Sequence, residues 1–209
     1  MHARVTRLKG APENFDHNME IVKSQAVPAL QKLPGFQGSY FLGDRKTGNS
    51  LGVFFFDSAE SLAATREQAN KIREGVVEAT SSQIVSVEEY EVIADSGKKV
   101  SRTASAARIG TSHVDPSRLD EGVQAIQQKA IPTIKQFPGN EGAVFLADRS
   151  SGRGLTLTLF DSSASLNASR EQATQLRNEV VGKLGGKPTS DFEEYEITVR
   201  VESPVGAQA

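Results

Sequence analysis

Pro34-Gly35-Phe36-Gln37-Gly38-Ser39-Tyr40-Phe41-Leu42-Gly43-Asp44-Arg45-Lys46-Thr47-Gly48 decides the fold, because the chain contains it twice. The second copy runs Pro138-Gly139-Asn140-Glu141-Gly142-Ala143-Val144-Phe145-Leu146-Ala147-Asp148-Arg149-Ser150-Ser151-Gly152. The offset, 138 − 34 = 104, is half of a 209-residue chain. At that offset, residues 3–78 and 107–182 agree at roughly 28 of 76 positions, which reads as tandem duplication. The densest match is Phe56-Asp57-Ser58 with Arg66-Glu67-Gln68-Ala69 and Arg73, against Phe160-Asp161-Ser162 with Arg170-Glu171-Gln172-Ala173 and Arg177.

Working outward, each copy has one order of elements. Residues 3–8 read as a strand. Phe15, Met19, Val22, Ala26, Leu30 and Leu33 then recur at helical spacing. Pro28 sits inside that helix and Pro132 repeats it, so a kink is expected in both copies. Pro-Gly stops the helix. Residues 38–44 and 51–56 form a hairpin around a polar turn. Asp57-Ser58, and Asp161-Ser162 in the second copy, read as N-caps, with Asp57 the capping residue and Glu60 three residues on. Leu62, Ala69, Ile72 and Val76 mark the second helix, and residues 83–94 the last strand. The order β-α-β-β-α-β is the ferredoxin-like unit. The fold class expected is α+β: two fused ferredoxin-like units forming one intramolecular dimeric α/β barrel. Duplication supplies each unit with a permanent partner for its bare sheet face. The divisions are 1–95, a linker at 96–106, a second unit at 107–202 and a loose tail at 203–209.

The formal charge of −2 and pI near 6.0 give no basic excess for nucleic acid or a membrane surface. With no cysteine, disulfides, thiolate nucleophiles and Cys-ligated metals are excluded. No apolar run reaches a membrane span and no signal core opens the chain, so a cytoplasmic protein is expected. It would be a pseudo-dimer within one chain, either a monomer or a further homodimer.

Helix-Pro-helix, Pro-Gly-Phe/Asn, Phe-Leu-x-Asp-Arg-x-x-Gly, then Phe-Asp-Ser and a Leu-x-Ala helix resemble the dimeric α/β-barrel superfamily, and within it uncharacterised relatives of the antibiotic biosynthesis monooxygenases. The resemblance spans both units. It implies a pocket for a small hydrophobic or aromatic ligand between sheet and helices. It also implies cofactor-independent oxygenation of a small aromatic or polyketide-like compound, or a non-catalytic ligand-binding or stress-related role.

No residue set points to one reaction. His2, His17 and His113 face Ala106, Glu121 and Lys9 in the other copy, so none is repeated. His17, near the start of the first helix, and Arg66 are the candidate catalytic groups. With Tyr40 they would hold an ionised oxygen of the substrate. Arg66 and Arg73 flank a buried stripe, where each can pair with Glu89 or Glu91 or hold an anion. Tyr40, Phe54 and Phe56 are the expected pocket wall. The chain has no tryptophan, against the Trp-Asn-His set of haem-degrading members. No metal-ligand spacing appears, and no cofactor is expected. Phe36, Tyr40 and Phe54 stand against Asn140, Val144 and Thr158, which suggests an aromatic pocket in unit one and a smaller, more polar one in unit two.

Overall fold

The structure, a computed structural model, describes residues 1–97 and 101–203. Parts of the expected linker (98–100) and tail (204–209) lie outside the described residues. The first repeat runs β1 (His2–Lys9), α1 (Phe15–Ile21), α2 (Val27–Leu30), β2 (Phe36–Gly43), β3 (Asn49–Phe56), α3 (Ala59–Ala64), α4 (Arg66–Thr80) and β4 (Gln83–Asp95). The second runs β5 (Ala106–His113), α5 (Leu119–Ala125), α6 (Ile131–Ile134), β6 (Asn140–Asp148), β7 (Arg153–Phe160), α7 (Ser163–Ala168), α8 (Arg170–Lys183), a short β8 (Lys187–Pro188) and β9 (Glu193–Glu202). Each is β-α-β-β-α-β with its helices broken in two.

Strand pairings follow the order β7-β6-β4-β1-β3-β2-β9-β5, and β5 pairs back onto β7, while β8 adds to β5. The eight long strands therefore have the closed pairing pattern of the α/β barrel. The compact units are cut differently from the repeats. Of the described residues, one comprises 1–89 with 197–203, and the other 90–97 with 101–196. Each repeat's last strand thus begins in its own unit and ends in the other.

Within the first unit, β3 pairs antiparallel with β1 and β2. Val22, Ala26 and Leu30 of the first helix, and Leu33 in the turn after it, meet Phe36, Phe56, Leu62 and Val76 in one core, which Val201 of β9 completes. Within the second, Ala130, Ile134 and Phe137 meet Phe145, Phe160, Leu166 and Leu176. The opposite sheet face is buried too: Val53 and Phe55 are 0% and 1% exposed.

The prolines do more than kink the helix. Residues Val22–Ala26 and Ile126–Ala130 form a π-helical turn, in which Val27 donates to Val22 O and Ile131 to Ile126 O. The widened turn lets the helix run on although Pro28 and Pro132 lack an N–H. The N-caps also differ from the expectation. Ser58 and Ser162, not Asp57, accept the Ser61 and Ser165 N–H at 3.1 and 3.2 Å. The chain stays extended one residue longer (Ser58 φ −144°, ψ 168°), which puts the serine at the cap.

Gly48 and Gly152, both at φ +73°, bring each hairpin turn against the loop after the first strand, where a Cβ would lie 2.2 Å from Gly10 O and 1.9 Å from Val114 O. Asp44 and Asp148 organise these turns as acceptors of Lys46 N and Ser150 N. The adjacent arginines reach elsewhere: Arg45 to Asp16, and Arg149 to Glu91 and Asp120.

Candidate functional site

Each unit holds a cavity between its sheet and its helices, about 80 Å³ in the first and about 120 Å³ in the second. The first is walled by Val22, Ala26 and Leu30, by Phe54 and Phe56 of β3, and by Ile72 and Val76 of α4. The second is walled by the matching Ile126, Ala130 and Ile134, with Phe145, Leu176 and Val180. Both π-turns thus face a cavity. The second cavity is the larger, against the expectation. Thr158 stands where Phe54 fills space in the first unit, and removing a ring leaves volume. An aromatic is present there too, from the residue just before β9. The Phe192 ring lies near Gly110 of β5, as Phe54 covers Gly52 of β3.

Two arginines line each cavity: Arg4 and Arg73 in the first, Arg108 and Arg177 in the second. Arg4 and Arg108 are each 2% exposed, on strands whose neighbours are apolar. A buried guanidinium needs partners for its donors, and each has a matched set. Arg4 donates through Nε and Nη2 to Glu89 Oε1 at 3.1 and 2.8 Å, and through Nη2 to Leu62 O at 2.8 Å. Arg108 repeats this with Glu194 Oε1 at 3.2 and 3.0 Å and with Leu166 O, and adds Ser169 Oγ at 3.0 Å. The second oxygen of each glutamate accepts from an exposed arginine, Arg66 at 2.8 Å in one unit and Arg170 in the other. Burial pushes the Glu89 carboxyl up, but the hydrogen bonds from Arg66 and Arg4 outweigh it and hold the group below its usual value.

Arg73 and Arg177 are different. Arg73 Nη1 donates to Asn70 Oδ1 at 2.8 Å, and Arg177 Nη1 to Ser190 O at 3.0 Å. Arg177 also lies 3.9 Å over the Phe192 ring. Burial, and then the charge of Arg4, push the Arg73 guanidinium below its ordinary value. Burial likewise lowers Arg177, with Arg108 adding to it and Asp191 opposing.

The expected site residues separate. Phe54 and Phe56 line the first cavity. Tyr40 pairs with Val53, the neighbour of Phe54 that points to the other face, and stacks edge-on with Phe55 at 6.5 Å. His17 is exposed on α1, while its neighbour Asn18 is buried and faces the cavity. Arg66 is exposed and paired with Glu89, outside the wall. His113 is exposed at the end of β5. Arg4 and Arg108 were missed, although their identity at the repeat offset could have found them. Among the described residues, no three His, Cys, Asp or Glu side chains gather as a metal site, and no helix is long and apolar enough to cross a membrane.

No family model matches the chain. It is similar to two uncharacterized proteins of Mycobacterium tuberculosis (strain ATCC 25618 / H37Rv). Rv2557 is 28% identical over 199 residues, covering 95% of this chain and 88% of that protein. Rv2558 is 24% identical over 202 residues, covering 95% and 84%. Among solved structures, an anthrone oxidase-like protein superposes with a TM-score of 0.66 at 17% identity, covering 97% of this chain and 94% of the other. An uncharacterized ferredoxin-fold protein related to antibiotic biosynthesis monooxygenases, from Listeria monocytogenes 4b F2365, gives 0.53 at 12%, covering 93% and 94%. The chain has the dimeric α/β-barrel fold of these monooxygenase-like proteins, carried as an internal duplication.

Proposed function

We propose that each unit binds a compact apolar or aromatic small molecule in the cavity between its sheet and helices. The observation that carries this is that both copies keep the cavity while their wall residues diverge, Phe54 against Thr158 and Phe15 against Leu119. Apolar walls that face unfilled space forgo packing contacts, and space of about 80 and 120 Å³ is kept in both copies. A cavity of about 150 Å³ holds benzene, so the ligand has at most one ring or a short branched chain.

Thermal unfolding with a panel of such molecules tests this. A ligand at one hundred times its Kd stabilises by about 2.7 kcal/mol, which raises Tm by about 5–10 °C at this chain length. Filling the second cavity with Thr158→Phe should abolish the share of that rise due to the second unit. No shift with any compound, or shifts that Thr158→Phe leaves intact when the first cavity is filled as well, would overturn the reading.

A second reading is cofactor-independent oxygenation, favoured by the likeness to an anthrone oxidase-like protein. An acidic methylene would lose a proton, and the carbanion would reduce O₂. One oxygen would remain as C=O and the other leave as water. Oxygen uptake with one-ring compounds that carry an acidic methylene decides it. One O₂ consumed per product is expected, and uptake no faster than in buffer ends it.

A further inference from the structure

We infer that the molecules held in these cavities are monocarboxylates, and that the Nε–Nη2 edges of Arg73 and Arg177 bind the carboxylate. This rests on the cavity reading above and names its ligand class. The first observation is a charge imbalance that occurs twice. In the first unit Arg4, Arg66 and Arg73 surround a single Glu89, whose two oxygens are taken by Arg4 and Arg66. In the second, the oxygens of Glu194 are taken by Arg108 and Arg170, and Arg177 lies near enough to Arg108 to feel its charge. The remaining cation in each case lines the cavity beside the paired one. Glu74 and Glu89 act on Arg73, and Asp191 on Arg177, without forming an ion pair with it.

The second observation is which donors are engaged. Both arginines are anchored through Nη1 alone, to Asn70 Oδ1 and to Ser190 O. The Nε and Nη2 groups have no hydrogen-bond partner among the described residues, and Arg177 Nε is buried in that state. A half-buried guanidinium with its side edge unpaired, set near a like charge, is destabilised until an anion arrives. That edge presents two parallel N–H donors at the spacing of the two oxygens of a carboxylate. Aliphatic and aromatic walls around it suit an apolar body and resist a strongly hydrated dianion such as phosphate. The Phe192 ring under Arg177 fixes its plane, so the second site is the better organised of the two.

Calorimetric titration of the full chain with benzoate and isovalerate, against benzamide, isovaleramide and inorganic phosphate, is the test. Wild-type protein should bind a carboxylate at least 10-fold tighter than its amide, with phosphate no better than the amide. Arg177→Gln combined with Arg73→Gln should remove that preference and leave amide affinity within about 3-fold. Arg→Lys at both sites should restore part of it, since charge returns without the fork. Circular dichroism establishes that the variants fold, and the lysine pair serves if a glutamine variant does not. Equal binding of acid and amide, binding of benzoate unaffected by the substitutions, or phosphate binding as tightly as benzoate overturns this inference while leaving the cavity reading standing. If neither acids nor amides bind, the cavity reading fails with it.

Discussion

At the scale of single residues, the duplicated arginines Arg4 and Arg108 are the most constrained side chains near the cavities. Arg108 is 2% exposed and satisfies its donors on Glu194, Leu166 O and Ser169. Its charge also faces the Phe160 and Phe192 rings at 5.4 and 5.1 Å. Arg108→Ala leaves a cavity, an unpaired carbonyl and half of the Glu194 carboxylate without its partner. The expected loss is about 3–5 kcal/mol, measured by denaturant unfolding, and Arg4→Ala should cost a similar amount. A loss below about 1 kcal/mol would mean that water replaces the guanidinium. Asp148 makes a pH-dependent contribution. Hydrogen bonds from Ser150 and Ser151 hold its carboxyl well below the ordinary value of 3.8. A depressed folded-state value means the stabilisation is complete above the unfolded value and lost as pH falls through the folded one. Asp148→Asn should therefore lower Tm by about 2–4 °C at pH 7, and by less at pH 3. A difference that grows on acidification would contradict the assignment.

At the scale of elements, the repeated serine caps are the simplest devices to test. Ser162 Oγ accepts the Ser165 N–H at 3.2 Å at the start of α7. Ser162→Ala should cost about 1 kcal/mol, and Asp57→Ala less than half of that, since Asp57 is not the cap. Equal losses in thermal melts would restore the aspartate reading. Element identity and order were legible because Pro-Gly stops, glycine turns and apolar periodicity recur in both copies, so each reading had an internal check. Two finer features were not legible. The π-turns before Pro28 and Pro132 look like ordinary helix in a spacing pattern. The face of Tyr40 depends on pairing register across the hairpin, and the bulge between Phe36 and Gly38 makes side-chain alternation an unsafe guide there. His17 misled for another reason. It follows Phe15 by two residues, about 200° around the helix, and so points away from the stripe that faces the cavity. Phe54 and Phe56 were legible because β3 is a short strand with unbroken alternation.

At the scale of the whole chain, the repeats and the packing units do not coincide. Sequence identity marks where one copy ends, but hydrogen bonding and burial decide where a strand lies. Residues 90–95 of β4 belong to the second unit, and Glu91, Val92, Ala94 and Asp95 pair with β6 there. Residues 197–202 of β9 belong to the first, where Thr198 Oγ1 donates to Phe41 O at 2.9 Å and Val201 is 2% exposed in its core. A fragment of residues 1–96 therefore keeps a complete repeat yet lacks part of its own packing unit. It loses the β9 segment, including a buried valine worth about 1.5–3 kcal/mol, and carries an unpaired strand end at 90–95. Two such fragments can supply each other with most of that missing strand, because residues 92–96 of one copy match residues 197–201 of the duplicated chain in position along the last strand. The expected outcome is a homodimer, or an unfolded chain at low concentration. Light scattering with circular dichroism across a concentration series measures this. A folded monomer with the full chain's thermal stability would show that the exchanged strand ends contribute nothing to either unit.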